Sequence, residues 1–190
     1  MNFWRVCSFY THGTGYEEEV KNLRASLKGL EIPHFIREVI NLGSWQKNTL
    51  YKAKFILQMM DRFQREDIVW LDADAVVRSY PKLFSEIDCD LACHFRDWKH
   101  GRNELLSGTL FIKNNDKARR VIRDWIKIND QNPKTWEQRN LARAIRRYDF
   151  DLKIYRLPIE YCFIFDDERK GSVKPIIEHF QASRKYRREI

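Results

Sequence analysis

Ile68-Val69-Trp70-Leu71-Asp72-Ala73-Asp74-Ala75-Val76-Val77 decides how this chain is read. Its first four residues form a continuous apolar run, which fits a strand buried on both faces and therefore a central strand of an α/β sheet. Such sheets bind ligands at the carboxyl ends of their strands. Two carboxylates one residue apart at that end are costly unless something neutralises them. Oxygen ligands of this kind suit Mg²⁺ or Mn²⁺, which usually shares its shell between one or two carboxylates and the phosphates of a substrate. An aspartate after a strand also serves as a helix N-cap or in an Asx-turn, so the pair alone leaves both readings open.

Outward from that segment, the 190 residues are 43% hydrophobic and 14% aromatic, enough to bury a sizeable core and most simply one domain. No apolar stretch approaches the roughly 20 residues needed to cross a bilayer, and Met1-Asn2-Phe3-Trp4-Arg5 does not open a signal peptide. Cys7, Cys89, Cys93 and Cys162 lie in apolar surroundings without a framework pattern, which suits buried reduced thiols and a cytoplasmic chain. The net charge of +8 is unevenly spread. Lys113 to Arg147 holds eleven lysines and arginines against four acidic residues, and the tail from Arg184 to Ile190 is basic too. Within the block, Arg139, Arg143, Arg146 and Arg147 fall on one side of a predicted helix, opposite Leu141, Ile145 and Tyr148. A solvated helix face explains any single arginine; together with the tail they would attract an anionic partner.

Strands are expected at Phe3 to Tyr10, Pro33 to Val39, Ile68 to Leu71, Asp90 to Phe95, Leu105 to Ile112, Leu152 to Leu157 and Ile176 to Phe180. Helices are expected at Tyr16 to Leu30, Asn48 to Phe63, near Pro81, Asp116 to Ile128 and Thr135 to Arg147. The alternation implies βαβ crossovers and a mainly parallel sheet flanked by helices, with the last strand closing it. Leu50, Ala53, Ile56, Leu57 and Met60 form the apolar side of the second helix, with Asn48 and Lys52 away from it.

The string around Asp72 and Asp74 resembles the aspartate-x-aspartate segment of nucleotide-sugar glycosyltransferases with the GT-A fold. The resemblance implies a nucleoside diphosphate sugar donor, a Mn²⁺ or Mg²⁺ ion, and one Rossmann-like domain with 184–190 as a basic tail. Other segments match residue by residue. Tyr10 and Thr11, ending the first strand, stand where similar enzymes hold the nucleotide base and ribose. Asn48 and a following lysine, Lys52 or Lys54, match a K-x-x-x-I/L segment that similar sequences carry near the donor. Ser107 and Gly108 match the serine-glycine strand that approaches the donor sugar. Glu137 and Gln138 match an acidic/glutamine segment beside the anomeric carbon, although Thr135-x-x-Gln138 also reads as a capping box. His179 matches the late histidine that would complete the metal shell, with Asp74 a direct ligand and Asp72 reaching the metal through water or holding the donor's ribose, and Arg184 would then clamp the diphosphate. The acceptor is left open; an anionic one, such as nucleic acid or an acidic glycan, would use Arg139, Arg143, Arg146 and Arg147.

Two other classes compete. A haloacid-dehalogenase-like phosphatase also carries Asp-x-Asp after an apolar strand, with the first aspartate as nucleophile. That motif normally lies on the first strand, and here Asp166-Asp167 precedes Lys174 instead of following a lysine. A nonenzymatic nucleic-acid-binding module explains the charge but not the paired carboxylates, which repel phosphate without a metal.

Overall fold

The computed structural model describes residues 3–98, 102–148, 150–166 and 173–187. Asp167 and the last three residues of the basic tail lie outside them. A six-stranded central sheet has helices on both faces. Its strands are β1 (Trp4–Thr11), β2 (His34–Val39), β3 (Asp67–Leu71), β5 (Leu91–Trp98), β6 (Arg102–Ile112) and β7 (Ile154–Arg156), in the order β2-β1-β3-β6-β5-β7. The helices are α1 (Tyr16–Gly29), α2 (Trp45–Arg62), α3 (Leu83–Glu86), α4 (Asp116–Gln131), α5 (Glu137–Arg146) and α6 (Ser183–Tyr186).

The apolar run of β3 is buried on both faces, as its composition requires. Ile68 and Trp70 enter one core with Phe55, Met60, Trp125 and Leu141 from α2, α4 and α5. Val69 and Leu71 enter the other with Leu23, Leu27, Phe84 and Phe111. Each such side chain contributes about 1.5–3 kcal/mol through burial, which places the following aspartates at a rigid edge. Side-chain oxygens of Ser44 and Asn115 cap α2 and α4 by accepting from Lys47 N–H and Ala118 N–H.

Three expectations change. The first qualifies the mainly parallel sheet, which holds for five of its six strands: β1 pairs in parallel with β2 and β3, and β5 with β7, but β6 runs antiparallel to both β3 and β5. A parallel crossover needs a dozen or more residues, and the connection from β5 to β6 is far shorter, so the two strands form a hairpin. The second concerns Ile177–His179, β9, which leaves the main sheet. It pairs with β4 (Ala75–Val77) and β8 (Phe163–Ile164) in a three-stranded sheet. The third concerns α2, which begins at Trp45 and turns Asn48 and Lys52 inward, in line with buried Phe55, Ile56 and Met59.

Candidate functional site

Backbone register assembles the site. Asp72 N–H extends the β3–β6 ladder to the Gly108 carbonyl at 3.0 Å, and the Asp72 carbonyl accepts from Ala75 N–H at 3.0 Å, closing a turn over Asp72-Ala73-Asp74-Ala75. Ala75 then pairs with His179 across β4 and β9. The late histidine is thereby delivered beside the carboxylate turn. Gln181 next adopts a left-handed φ of 55°, a strain of about 1–2 kcal/mol, and Ala182 N–H turns back to donate to Asp74 Oδ2 at 2.8 Å.

One oxygen or nitrogen from each of Asp72, Asp74 and His179 lies within 4.8 Å of the others. His179 Nδ1 faces Asp74 Oδ1 at 3.8 Å, while Nε2 lies 2.8 Å from Thr109 Oγ1. Burial by itself disfavours the imidazolium, but Cys162 and Asp74 beside the ring outweigh it and push the His179 pKa up to about 10. Burial likewise works against the Asp74 carboxylate, yet His179, Ala182 N–H and Lys52 hold its pKa below the usual value. Gly108 lies under the ring: a Cβ there would sit 3.0 Å from His179 Cε1. The glycine expected to admit a ligand therefore admits the metal-type histidine. In a second group, His12 and Glu38 are exposed and Glu17 half-buried, and its carboxylates already accept from Gly13 N–H and the Tyr10 hydroxyl.

Lys52 is the residue whose surroundings differ most from expectation. The residue is 3% exposed, and its ammonium lies 2.8 Å from both Asp72 Oδ1 and Glu137 Oε1, with Ser107 Oγ at 3.2 Å. Burial disfavours the charged amine, but Asp72 and Glu137 more than offset it and its pKa is raised. It bridges two carboxylates instead of standing free for a diphosphate. Trp70 Nε1–H also donates to Asp72 Oδ1 at 2.9 Å, and Ser107 Oγ donates to Glu137. The signal was present in the sequence: Asn48 and Lys52 continue the i, i+4, i+7 stripe of Phe55, Ile56 and Met59.

These residues line a cavity of about 470 Å³ that also takes in Tyr10, Thr11, Asn48, Ser107, Gly108 and Arg184. Asn48 spends its amide on the loop before α2, accepting from Leu42 N–H and donating to Asn41. Arg184 is ion-paired with Asp166. No capping box forms at α5, because Trp136 occupies the cap position without a side-chain bond and Gln138 donates to Glu104 Oε1 at 3.0 Å. Glu104 in turn accepts from Arg96 at 2.6 Å. Arg139, Arg143, Arg146 and Arg147 are all exposed along α5. Sequence reasoning missed Trp45, Trp136 and Arg187, which also line the cavity. All four cysteines are free and buried, and no helix among the described residues is long and apolar enough to cross a membrane.

This fold is shared with glycosyltransferases. A glycosyltransferase involved in glycosylation of the major capsid of PBCV-1 matches with a TM-score of 0.73 over 96% of this chain and 96% of its own, at 16% identity. The glycosyltransferase GlyE of Streptococcus pneumoniae TIGR4 matches with a TM-score of 0.64 at 14% identity, over 95% of this chain and 55% of GlyE, and its apo form with 0.63 at 12%. The chain thus spans about half the length of GlyE. No protein-family model and no curated protein matches the sequence.

Proposed function

We propose that this chain is a metal-dependent glycosyltransferase that moves a sugar from a nucleoside diphosphate sugar to an acceptor hydroxyl. The observation that carries the reading is the convergence of Asp72, Asp74 and His179 on one cavity wall, at the carboxyl end of a doubly buried strand. The donor set fits a hard divalent ion: carboxylate oxygens and imidazole suit Mn²⁺ or Mg²⁺. The 3.8 Å between His179 Nδ1 and Asp74 Oδ1 is too long for a hydrogen bond, so the two groups face each other without having closed on each other.

Such an ion, when bound, supplies Lewis-acid stabilisation of the charge that builds on the leaving diphosphate. Asp74 and His179 are assigned as direct ligands, with Thr109 fixing the imidazole's orientation through Nε2. Asp72 contributes the oxygen that Lys52 and Trp70 leave free. Lys52 is a positioning residue that holds Asp72 and Glu137 in register. Glu137 and Gln138 stand at the reacting centre, Tyr10 and Thr11 take the nucleoside, Ser107 and Gly108 border the sugar, and Arg184 meets the diphosphate when released from Asp166. The exposed arginines of α5 receive an anionic acceptor, beginning at Arg139 beside the cavity. Calorimetry of UDP and GDP with and without Mn²⁺ tests the core of this assignment. Nucleotide affinity should depend on the ion and be lost in Asp74→Ala; unchanged affinity in that variant overturns the reading.

A further inference from the structure

The mouth of the cavity carries a stack that the reaction itself does not need. The Arg187 guanidinium lies 4.9 Å from the ring centre of Trp45 and 5.3 Å from that of Trp136, and Arg139 lies 5.3 Å from Trp136 as well. Both tryptophans line the cavity, and Trp136 keeps 38% of its surface exposed at the start of α5.

Arg187 is placed there by its neighbours. Ala182, five residues earlier, is tied to Asp74, and Tyr186 is buried against Gly15, where any Cβ would come within 2.1 Å of the tyrosine ring. The Tyr186 hydroxyl also donates to Glu19 at 3.3 Å. The segment is anchored at both ends of its short helix, which holds the guanidinium over the indoles.

The hydrogen-bonding capacity left at this mouth is one-sided. Asp72 and Glu137 are paired with Lys52, Asp74 accepts from Ala182 N–H, the oxygens that Asp72 and Asp74 keep open are the ones assigned to the ion, and Glu104 is held by Arg96 and Gln138. Among the described residues, by contrast, neither Arg187 nor Arg139 meets a carboxylate. Each guanidinium presents a planar fork of donors that matches a carboxylate or phosphate bidentately. Tryptophan faces beside them offer a flat apolar surface for the C–H face of a sugar ring.

We infer that the Trp45, Trp136, Arg187 and Arg139 stack is the acceptor subsite and that it selects a carbohydrate bearing a negative charge, as a carboxylate or a phosphate. The inference rests on the glycosyl-transfer reading and narrows its acceptor. A sugar ring packs against the indole surface that the guanidiniums leave exposed, its anionic group replaces solvent on the two guanidiniums, and the accepting hydroxyl points inward toward Gln138.

Intrinsic tryptophan fluorescence of the full chain with Mn²⁺ tests this, titrated with a glucuronate-containing tetrasaccharide, glucose 6-phosphate, maltotetraose and a single-stranded oligodeoxynucleotide. At least one charged sugar should bind tenfold or more tighter than maltotetraose, and which one does so separates carboxylate from phosphate. Arg187→Gln and Arg139→Gln, checked as folded by circular dichroism, should each weaken that sugar about tenfold, the order of one lost charge-assisted pair, and leave maltotetraose unchanged. Equal binding of neutral and charged sugars, no binding of either charged sugar, no effect of the arginine variants, or tighter binding of the oligodeoxynucleotide overturns it. Nucleotide release from UDP- and GDP-sugars with Mn²⁺ is followed in parallel. Charged-sugar binding without any nucleotide release would refute the glycosyl-transfer reading and leave the subsite standing; release with no charged-sugar preference would do the reverse.

Discussion

Replacing Lys52 with methionine is the most revealing single perturbation, because methionine keeps much of the packing and removes the charge with its N–H donors. In the native chain the ammonium sits 2.8 Å from both Asp72 and Glu137 with almost no access to water. Breaking a buried ion pair by removing one partner costs about 3–5 kcal/mol, since the remaining charge is stranded in a low-dielectric site. Glu137, with 11% of its side chain exposed, should carry most of that cost. Asp72, 37% exposed, is screened by solvent and adds less than about 1 kcal/mol. With a urea slope of about 2 kcal/mol per molar, the unfolding midpoint should fall by roughly 2 M. Adding Glu137→Gln to Lys52→Met removes the stranded charge and should recover more than half of the loss. If Lys52→Met unfolds within about 1 kcal/mol of the native chain, or if Glu137→Gln deepens the loss instead of relieving it, the buried bridge is not what holds Asp72 and Glu137 together.

Gly108→Ala places a Cβ 3.0 Å from His179 Cε1, so the ring must shift; stability should fall by about 1–3 kcal/mol and calorimetric Mn²⁺ affinity by tenfold or more, whereas unaltered metal binding would show that the ring's seat is not critical. His179 holds its proton more tightly folded, with a pKa of about 10, than unfolded, at 6.5, so its contribution is complete below pH 6.5 and lost as pH rises through 10. In EDTA, stability should therefore decline by up to about 1.4 kcal/mol per pH unit across that window, and a flat urea midpoint between pH 6.5 and 9 would contradict it.

How much of this molecule can be read without coordinates follows from how local each determinant is. The doubly buried β3 and its terminal aspartates were legible because four consecutive apolar residues admit few other placements. The start of α4 at Asn115 is equally local, set by one oxygen and an N–H three residues on, whereas α2 begins at Trp45, ahead of the expected Asn48. A similar motif order also pointed to His179. Periodicity could not set strand direction at β6, because it is the same for parallel and antiparallel neighbours; the direction follows from the short connection after β5, whose length depends on where the folded strands end. Nor could the sequence say that a glycine would receive a histidine ring 71 positions away, or that Lys52 would be claimed by Asp72 and Glu137. The stack of Trp45, Trp136 and Arg187 lies further still from any local rule, since its members come from three distant turns of chain. Burial patterns depend on neighbours in sequence and are written there. The pairing of charges and rings depends on which distant segments the sheet brings together, and only the folded chain decides that.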